Sequence, residues 1–171
     1  MHGAVDQVAE DRARDEWSGY AEGIVADRRT KITVGILGKY TALRDAYASI
    51  DKALEHCGTH LSADIETRWL DITDITVDNV EAAMAEHELH AVIVPGGFGE
   101  RGIEGKIASV KYVREHGIPF LGICLGFQMA VIEYARHKAS MPDANSTEFV
   151  ADSSCPVISE LPDQKEIEGL G

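Results

Sequence analysis

From residue 31 onward, short apolar runs rich in β-branched residues alternate with longer stretches of helical spacing. The run at 32–37 predicts a strand, and the apolar positions from Asp45 to Cys57 predict a helix that ends at Gly58. Further strands are predicted at 65–70, 91–95 and 118–123, and further helices at 77–88, 103–117 and from 124 onward. This alternation is typical of an α/β fold, in which a mostly parallel sheet is flanked by helices.

Residues 1–30 lack a sustained hydrophobic period, and Trp17 and Tyr20 are their only aromatic side chains. The pattern favours a linker or an extended arm. Acidic residues predominate in this segment and in residues 139–171, whereas residues 31–138 are nearer balance, with 15 acidic and 11 basic side chains. The sequence therefore predicts a folded centre between solvated acidic flanks.

The composition excludes several classes of function. The chain has 171 residues, 16 basic and 29 acidic, and its net charge of −13 argues against binding nucleic acid by neutralising phosphates. It has no run of about 18 apolar residues, so no membrane span is expected. The three cysteines are widely spaced and odd in number, which argues against a disulfide framework or a cysteine-based zinc site and favours a reducing cytoplasm.

The sharpest motif is G-x-C-x-G at residues 122–126, between a predicted strand and a predicted helix. The serine version of this turn is a nucleophile elbow, and the same physics applies to Cys124. Gly122 and Gly126 would let strand and helix approach closely, and the helix N-terminal amides would favour the reactive thiolate. A free cysteine is more often a core residue, but this position at the carboxyl end of a strand favours a nucleophile.

A second glycine-rich segment, residues 95–99, also follows a predicted strand. Consecutive glycines leave backbone N–H groups accessible to a ligand, and one of them could join the Leu125 amide in an oxyanion hole. Taken alone, the segment could equally be a plain loop. In residues 100–106, glycines separated by charges suggest either a lid over the site or a solvated helix start.

None of the seven histidines is an evident base for a cysteine nucleophile. His56 and His60 have i, i+4 spacing, but Gly58 is expected to interrupt a helix between them, and no nearby residues complete a metal set. His116 is expected at the opposite edge of the sheet. Surface or capping roles are favoured for all seven, and no metal site is predicted.

Four blocks of the chain resemble the class I glutamine amidotransferase family, in which G-x-C-x-G is the glutaminase elbow. They lie at 38–50, at 94–106, at 119–128, and at 134–137 with 144–150. The elbow is common to the family, whereas the other blocks resemble more specifically a member that aminates a nucleotide. The resemblance implies a flavodoxin-like, partial domain over residues 31–171, with residues 1–30 as the remnant of an interdomain linker.

By resemblance, Cys124 attacks the glutamine amide to form a glutamyl thioester, while the Gly97 and Leu125 amides hold the oxyanion. The resemblance assigns glutamine binding to Gly97, Leu125, Gly126, Phe127, Gln128 and Glu148, of which Glu148 would take the α-ammonium group. It assigns a lid to Phe98, Gly99, Arg101, Gly102 and Glu104.

The resemblance also implies a larger enzyme. A synthetase domain upstream would use ATP and Mg²⁺ to convert UTP to CTP with ammonia from L-glutamine. GTP would activate the enzyme, and the whole would be a cytoplasmic homotetramer, whereas this chain itself would need no cofactor. The family's His-x-Glu base falls beyond the position of residue 171, so little glutaminase activity is expected from the chain alone.

Two other interpretations stay open. The missing base is compatible with a non-catalytic module that binds glutamine or a partner protein. The elbow alone would also fit another class I amidotransferase, although the block at 145–150 argues against that assignment.

Overall fold

The computed structural model describes residues 6–26, 30–39, 44–97, 99 and 101–159. Their chain path divides into two compact units, one within Met1–Ile32 and Arg44–Glu66 and the other within Thr33–Leu43 and Thr67–Gly171. The elements are α1 (Gln7–Val25), β1 (Thr30–Gly38), a 3-10 turn (Arg44–Tyr47), α2 (Ala48–Leu61), β2 (Ala63–Asp71), α3 (Val80–Ala85), β3 (Ala91–Val94), α4 (Ile103–Glu115), β4 (Phe120–Gly122), α5 (Leu125–His137), β5 (Ala144–Ser146) and β6 (Cys155–Ile158).

The main sheet has the strand order β2-β1-β3-β4, and the β1–β3 and β3–β4 pairs are parallel. Ile93 of β3 lies between Ile36 of β1 and Leu121 of β4. β3 is apolar at all four positions, as expected for a central strand covered on both faces. The predicted α/β fold with a mostly parallel sheet is confirmed.

The buried apolar residues form two clusters, and the second of them lies between the helices on either side of β4 in the chain. The first consists of Leu37, Leu70, Ile72, Ile75, Met84, Val92, Val94 and Val113. The second joins α4 to α5 through Ile103, Ile107, Val110, Leu125, Met129 and Ile132. The i, i+4, i+7 spacing on each of these two helices places their apolar side chains on one face. The mutual packing of α4 and α5 holds the turn between β4 and α5 in place.

The N-terminal segment is helical, whereas the sequence favoured a linker or an extended arm. Asp6 caps α1 by accepting hydrogen bonds from the N–H groups of Val8 (3.1 Å) and Ala9 (3.3 Å). Arg12 and Glu16 form an i, i+4 ion pair at 2.9 Å. The helix has no buried residue, which explains its missing hydrophobic period. Capping and helix-favouring residues are the local signals for this helix.

The predicted stop of α2 at Gly58 is wrong. α2 continues to Leu61 and ends at Ser62, which adopts a left-handed conformation (φ 52°). Gly58 is buried inside the helix, where its tertiary context overrides its low helix propensity. His56 and His60 therefore share one helix, and their rings lie 5.4 and 6.0 Å from the ring of Tyr20. In the described parts of the chain, no three potential metal ligands converge.

The C-terminal acidic flank is partly folded, contrary to the prediction of a solvated segment. β5 pairs in parallel with β6, and Ala144 and Ser146 are 0% and 1% exposed. Small buried side chains in so short a strand give no clear hydrophobic pattern. The excess of acidic residues in this segment therefore led to the wrong prediction. Two other elements are shorter than predicted: α3 spans Val80–Ala85 and β4 spans Phe120–Gly122. No helix in the described residues is long and apolar enough to cross a bilayer.

Candidate active site

Cys124 occupies the turn between β4 and α5 and is exposed. Its backbone has φ 52° and ψ −110°, a conformation that non-glycine residues rarely adopt. The turn is closed by hydrogen bonds from Gly126 N–H to Ile123 O (2.9 Å) and from Gln128 N–H to Cys124 O (3.1 Å). The structure agrees with the predicted strained elbow, and the alternative of a buried core cysteine is wrong.

The two glycines of the motif are required by close backbone contact. A Cβ atom on Gly126 would overlap the carbonyl oxygen of Val94 and lie 2.8 Å from its carbonyl carbon. A Cβ atom on Gly122 would lie 2.6 Å from the amide nitrogen of Phe127. The elbow is therefore set by the approach of α5 to β3 and β4, as the motif predicted.

The segment after β3 lies beside the cysteine. A Cβ atom on Gly96 would lie 3.4 Å from Cys124 Cβ and 3.9 Å from Cys124 Sγ, and one on Gly97 would lie 4.0 Å from Leu125 Cδ2. Among the described residues, no group accepts a hydrogen bond from the N–H of Gly97 or Leu125. Two backbone donors near a thiol, at the N-terminus of α5, can stabilise negative charge on a reacting oxygen.

The residues expected to bind glutamine are spread over α5 and the loop after β5. Gln128 lies in the first turn of α5, and its Oε1 atom is buried without a hydrogen-bond partner in the described part of the chain. Gly126 is buried, whereas the Phe127 side chain is 61% exposed. Glu148 is exposed, and its N–H donates to Ser146 Oγ at 3.2 Å. The carboxylate of Glu148 interacts electrostatically with Lys39, which follows β1, and raises its pKa.

The predicted lid residues fall into different settings. Phe98 lies outside the described residues. Gly99 and Gly102 have positive φ angles of 78° and 81°, and Arg101 between them is exposed. Glu104 lies in the first turn of α4 and forms an ion pair with Arg136 at 2.8 Å. From Gly102 onward the segment is thus the start of a helix, one of the two interpretations that the sequence left open.

A buried lysine that the sequence analysis did not identify lies next to these groups. Lys106 is 1% exposed, and its Nζ atom lies 3.8 Å from the position that a Cβ atom on Gly97 would take. The pKa of Lys106 is lowered to about 8, mainly by burial and also by nearby Lys39, while Cys124 opposes this change. Lys106 lies on the apolar face of α4 between Ile103 and Ile107, and this break in the pattern was the available signal.

Lys39 is a second cation that the sequence did not point to. Its Nζ atom donates a hydrogen bond to the carbonyl oxygen of Gly99 at 3.0 Å. Burial is the main cause of the lowered pKa of Lys39; Arg101 also lowers it and Glu148 raises it. Lys39 directly follows β1, Arg101 lies in the turn before α4 and Glu148 in the loop after β5, so only the fold brings them together.

Replacing Lys106 with methionine is expected to raise the free energy of unfolding at pH 7 by about 1–3 kcal/mol. The pKa of Lys106 is about 8 in the folded chain against an ordinary 10.5, so folding is opposed by burying its charge. That cost is fully present below pH 8 and disappears as the pH rises through 10.5. Denaturant unfolding of both proteins at pH 7 and pH 10 checks this, and an equal gain at both pH values would contradict it.

The comparisons with known proteins agree with this geometry. Residues 42–167 match the family described as glutamine amidotransferase class-I. The chain is 45% identical to a CTP synthase of Staphylococcus saprophyticus over 157 residues, and 42% identical to one of Methanocaldococcus jannaschii over 161 residues. Each match covers 92% of this chain, but only 29% and 30% of those relatives.

A solved structure supports the same placement. The CTP synthase glutaminase domain of Trypanosoma brucei, determined with bound acivicin, has a TM-score of 0.70 and 31% identity to this chain. The match covers 79% of this chain and 51% of that one. The chain thus belongs to the class I glutamine amidotransferase family. Within this family it is similar to the glutaminase domain of CTP synthases, and it spans about three tenths of the length of the full relatives.

Proposed function

We propose that this chain is part of a glutaminase domain that releases ammonia from glutamine for the ATP-dependent amination of UTP to CTP. The observation that carries the proposal is the elbow, in which an exposed Cys124 with strained backbone directly precedes the Leu125 amide and lies beside Gly96, the residue before Gly97. The similarity to CTP synthases, rather than the elbow alone, favours this branch over other class I amidotransferases.

The proposed reaction begins with attack of the Cys124 thiolate on the side-chain amide carbon of glutamine. A C–S bond forms, and the amide oxygen becomes an oxyanion that the Gly97 and Leu125 N–H groups stabilise. The C–N bond then breaks as the nitrogen takes up a proton, which releases ammonia and leaves a glutamyl thioester. Water cleaves the thioester to glutamate and restores the thiol.

Proton transfer in this reaction requires a base. Among the described residues, no hydrogen bond joins Cys124 to a histidine. By family resemblance, a His-x-Glu pair outside these 171 residues would fill the role. We therefore propose that glutamine hydrolysis by this chain alone is slow, and rapid release of ammonia by the purified chain would contradict this.

The remaining properties of the larger enzyme are also proposals: a partner synthetase domain, ATP with Mg²⁺, activation by GTP, a homotetramer and a cytoplasmic location. In the described ranges, no three metal-ligating side chains converge for a divalent ion. Nucleic acid is not among the proposed partners, because a net charge of −13 opposes binding to phosphates.

Labelling with acivicin, the compound bound in the related Trypanosoma brucei structure, tests the proposed glutamine site. We expect modification of Cys124, detected by peptide mass spectrometry, and protection by L-glutamine but not by D-glutamine. Cys124→Ser should lose the label, whereas Cys155→Ser should keep it. Equal labelling of Cys57 and Cys124, with no protection by L-glutamine, would contradict the proposal.

A second candidate function is a non-catalytic module that binds glutamine. The Oε1 atom of Gln128, buried with no hydrogen-bond partner among the described residues, favours a polar ligand whether or not chemistry follows. Calorimetry with Cys124→Ala separates the two functions when it is combined with an ammonia assay on the unmodified chain. Glutamine binding without any turnover, even when the rest of a CTP synthase is supplied, would favour the module.

A further inference from the structure

A cationic side chain of α4 lies close to the candidate oxyanion hole. Lys106 reaches from the first turn of this helix to the backbone of Gly97, and its Nζ atom lies 3.8 Å from the position of a Cβ atom there. The neighbouring Gly96 is in the same relation to Cys124, whose Sγ atom would lie 3.9 Å from a Cβ atom on it. Two consecutive glycines thus separate the ammonium group from the thiol.

A buried lysine requires a compensating interaction or a function, because desolvating an ammonium group is costly. Lys106 is 1% exposed, and no ion pair or hydrogen bond of its ammonium group with a carboxylate is present among the described residues. Glu104, on the same helix, is paired with Arg136. The groups that act electrostatically on Lys106 are Lys39, which repels it, and Cys124, which attracts it.

We infer that Lys106 supplies a positive charge that stabilises negative charge on Cys124 and on the adjacent oxyanion. It is a positioning residue that acts through the field across Gly96 and Gly97. A role of Lys106 in glutamine hydrolysis rests on the proposed glutaminase function. Its electrostatic effect on the Cys124 thiol does not depend on that function. The sequence motifs of the elbow do not include this residue, and it lies 18 positions before the cysteine.

The expected signature is a preference of Cys124 for an anionic reagent. Iodoacetate and iodoacetamide react with the same thiolate, so the ratio of their rate constants cancels the thiolate fraction and reports the local potential. One charge a few ångströms away, in a partly buried site, changes such a ratio on the order of tenfold. Because the pKa of Lys106 is about 8, the ratio should fall as the pH rises from 7 to 9.5.

The experiment measures both rate constants at Cys124 in the full 171-residue chain, with each cysteine resolved by peptide mass spectrometry. Lys106→Met should lower the iodoacetate to iodoacetamide ratio at pH 7 by on the order of tenfold and remove its pH dependence. Cys57 serves as an internal reference whose ratio should not change. Lys111→Met, on the same helix, is the matched control and should leave the ratio at Cys124 unaltered.

An unchanged ratio in Lys106→Met, or a fall of the same size in Lys111→Met, would overturn the inference. A flat profile between pH 7 and 9.5 in the unmodified chain would also overturn it, and this measurement needs no variant that might misfold. Failure of the glutamine proposal looks different, since acivicin labelling would then lack protection by L-glutamine while the reagent ratio kept its dependence on Lys106.

Discussion

Replacing Gly126 with alanine is expected to destabilise the folded chain by about 3 kcal/mol or more. The added methyl group would overlap the carbonyl oxygen of Val94 and lie 2.8 Å from its carbonyl carbon and 3.0 Å from its Cβ atom. These atoms belong to the central strand β3, which cannot move aside without disturbing its pairing with β1 and β4. The clash therefore has to be relieved by shifting α5 and with it the elbow.

Denaturant unfolding of Gly126→Ala measures this loss, and acivicin labelling of the remaining folded protein measures the damage to the elbow. Gly19→Ala is the matched control, because Gly19 lies within the exposed helix α1 and an added Cβ atom there meets nothing within 4 Å. That change should be neutral or stabilising by up to about 1 kcal/mol. Equal stabilities of the two variants would show that α5 does not rest on β3 as described.

Replacing Glu133 with alanine should cost about 3–5 kcal/mol of folding free energy. Glu133, on α5, is 1% exposed and accepts hydrogen bonds from Arg114 of α4, from Nη2 at 2.7 Å and from Nε at 3.0 Å. The Nδ1 atom of His137 lies 3.2 Å from the same carboxylate. Hydrogen bonding to Glu133 is the main reason that the pKa of Arg114 is raised. Truncation leaves the guanidinium without its buried partner.

The control for this change is a second, exposed carboxylate that pairs with the same arginine. Glu115 also pairs with Arg114, at 3.3 Å, but its side chain is 49% exposed, so Glu115→Gln should cost less than about 1 kcal/mol. Thermal or denaturant unfolding compares the two variants directly. If both cost equally little, the α4–α5 interface depends on its apolar cluster alone.

If Arg114→Met is combined with Glu133→Leu, much of the stability lost in Glu133→Ala should return. The double variant removes both charges at once, so no buried group is left unpaired. Failure to recover would indicate that hydrogen-bond geometry, rather than charge burial, governs this contact.

The geometry of the elbow could be read from the sequence because it depends on local backbone contacts. A strand, a tight turn and a helix require small residues at the two positions where backbones touch, and G-x-C-x-G states that requirement directly. The alternating apolar blocks likewise predicted the parallel sheet, since period and length distinguish strands from helices. The family resemblance rested on the elbow together with the blocks at 38–50, 94–106, 134–137 and 144–150.

The helix at the N-terminus and the strands β5 and β6 were not predicted, for opposite reasons. α1 has no fully buried residue, so its apolar residues have little reason to follow a helical period, and its cap and ion pair are the local marks of the helix. β5 and β6 have three and four residues, too few for a period to stand out among acidic neighbours. The predicted helix end at Gly58 was wrong for another reason, since Gly58 is buried inside α2 and the helix continues past it.

The sequence by itself determined the fold class, the candidate nucleophile and the two glycine-rich ends of neighbouring strands. The tertiary structure decided which charges lie near that nucleophile. Lys39, Lys106 and Glu148 lie far apart along the chain, and long-range electrostatic contacts leave no periodic trace in sequence. The desolvation that lowers the pKa of Lys106 exists only once α4 is packed against its neighbours.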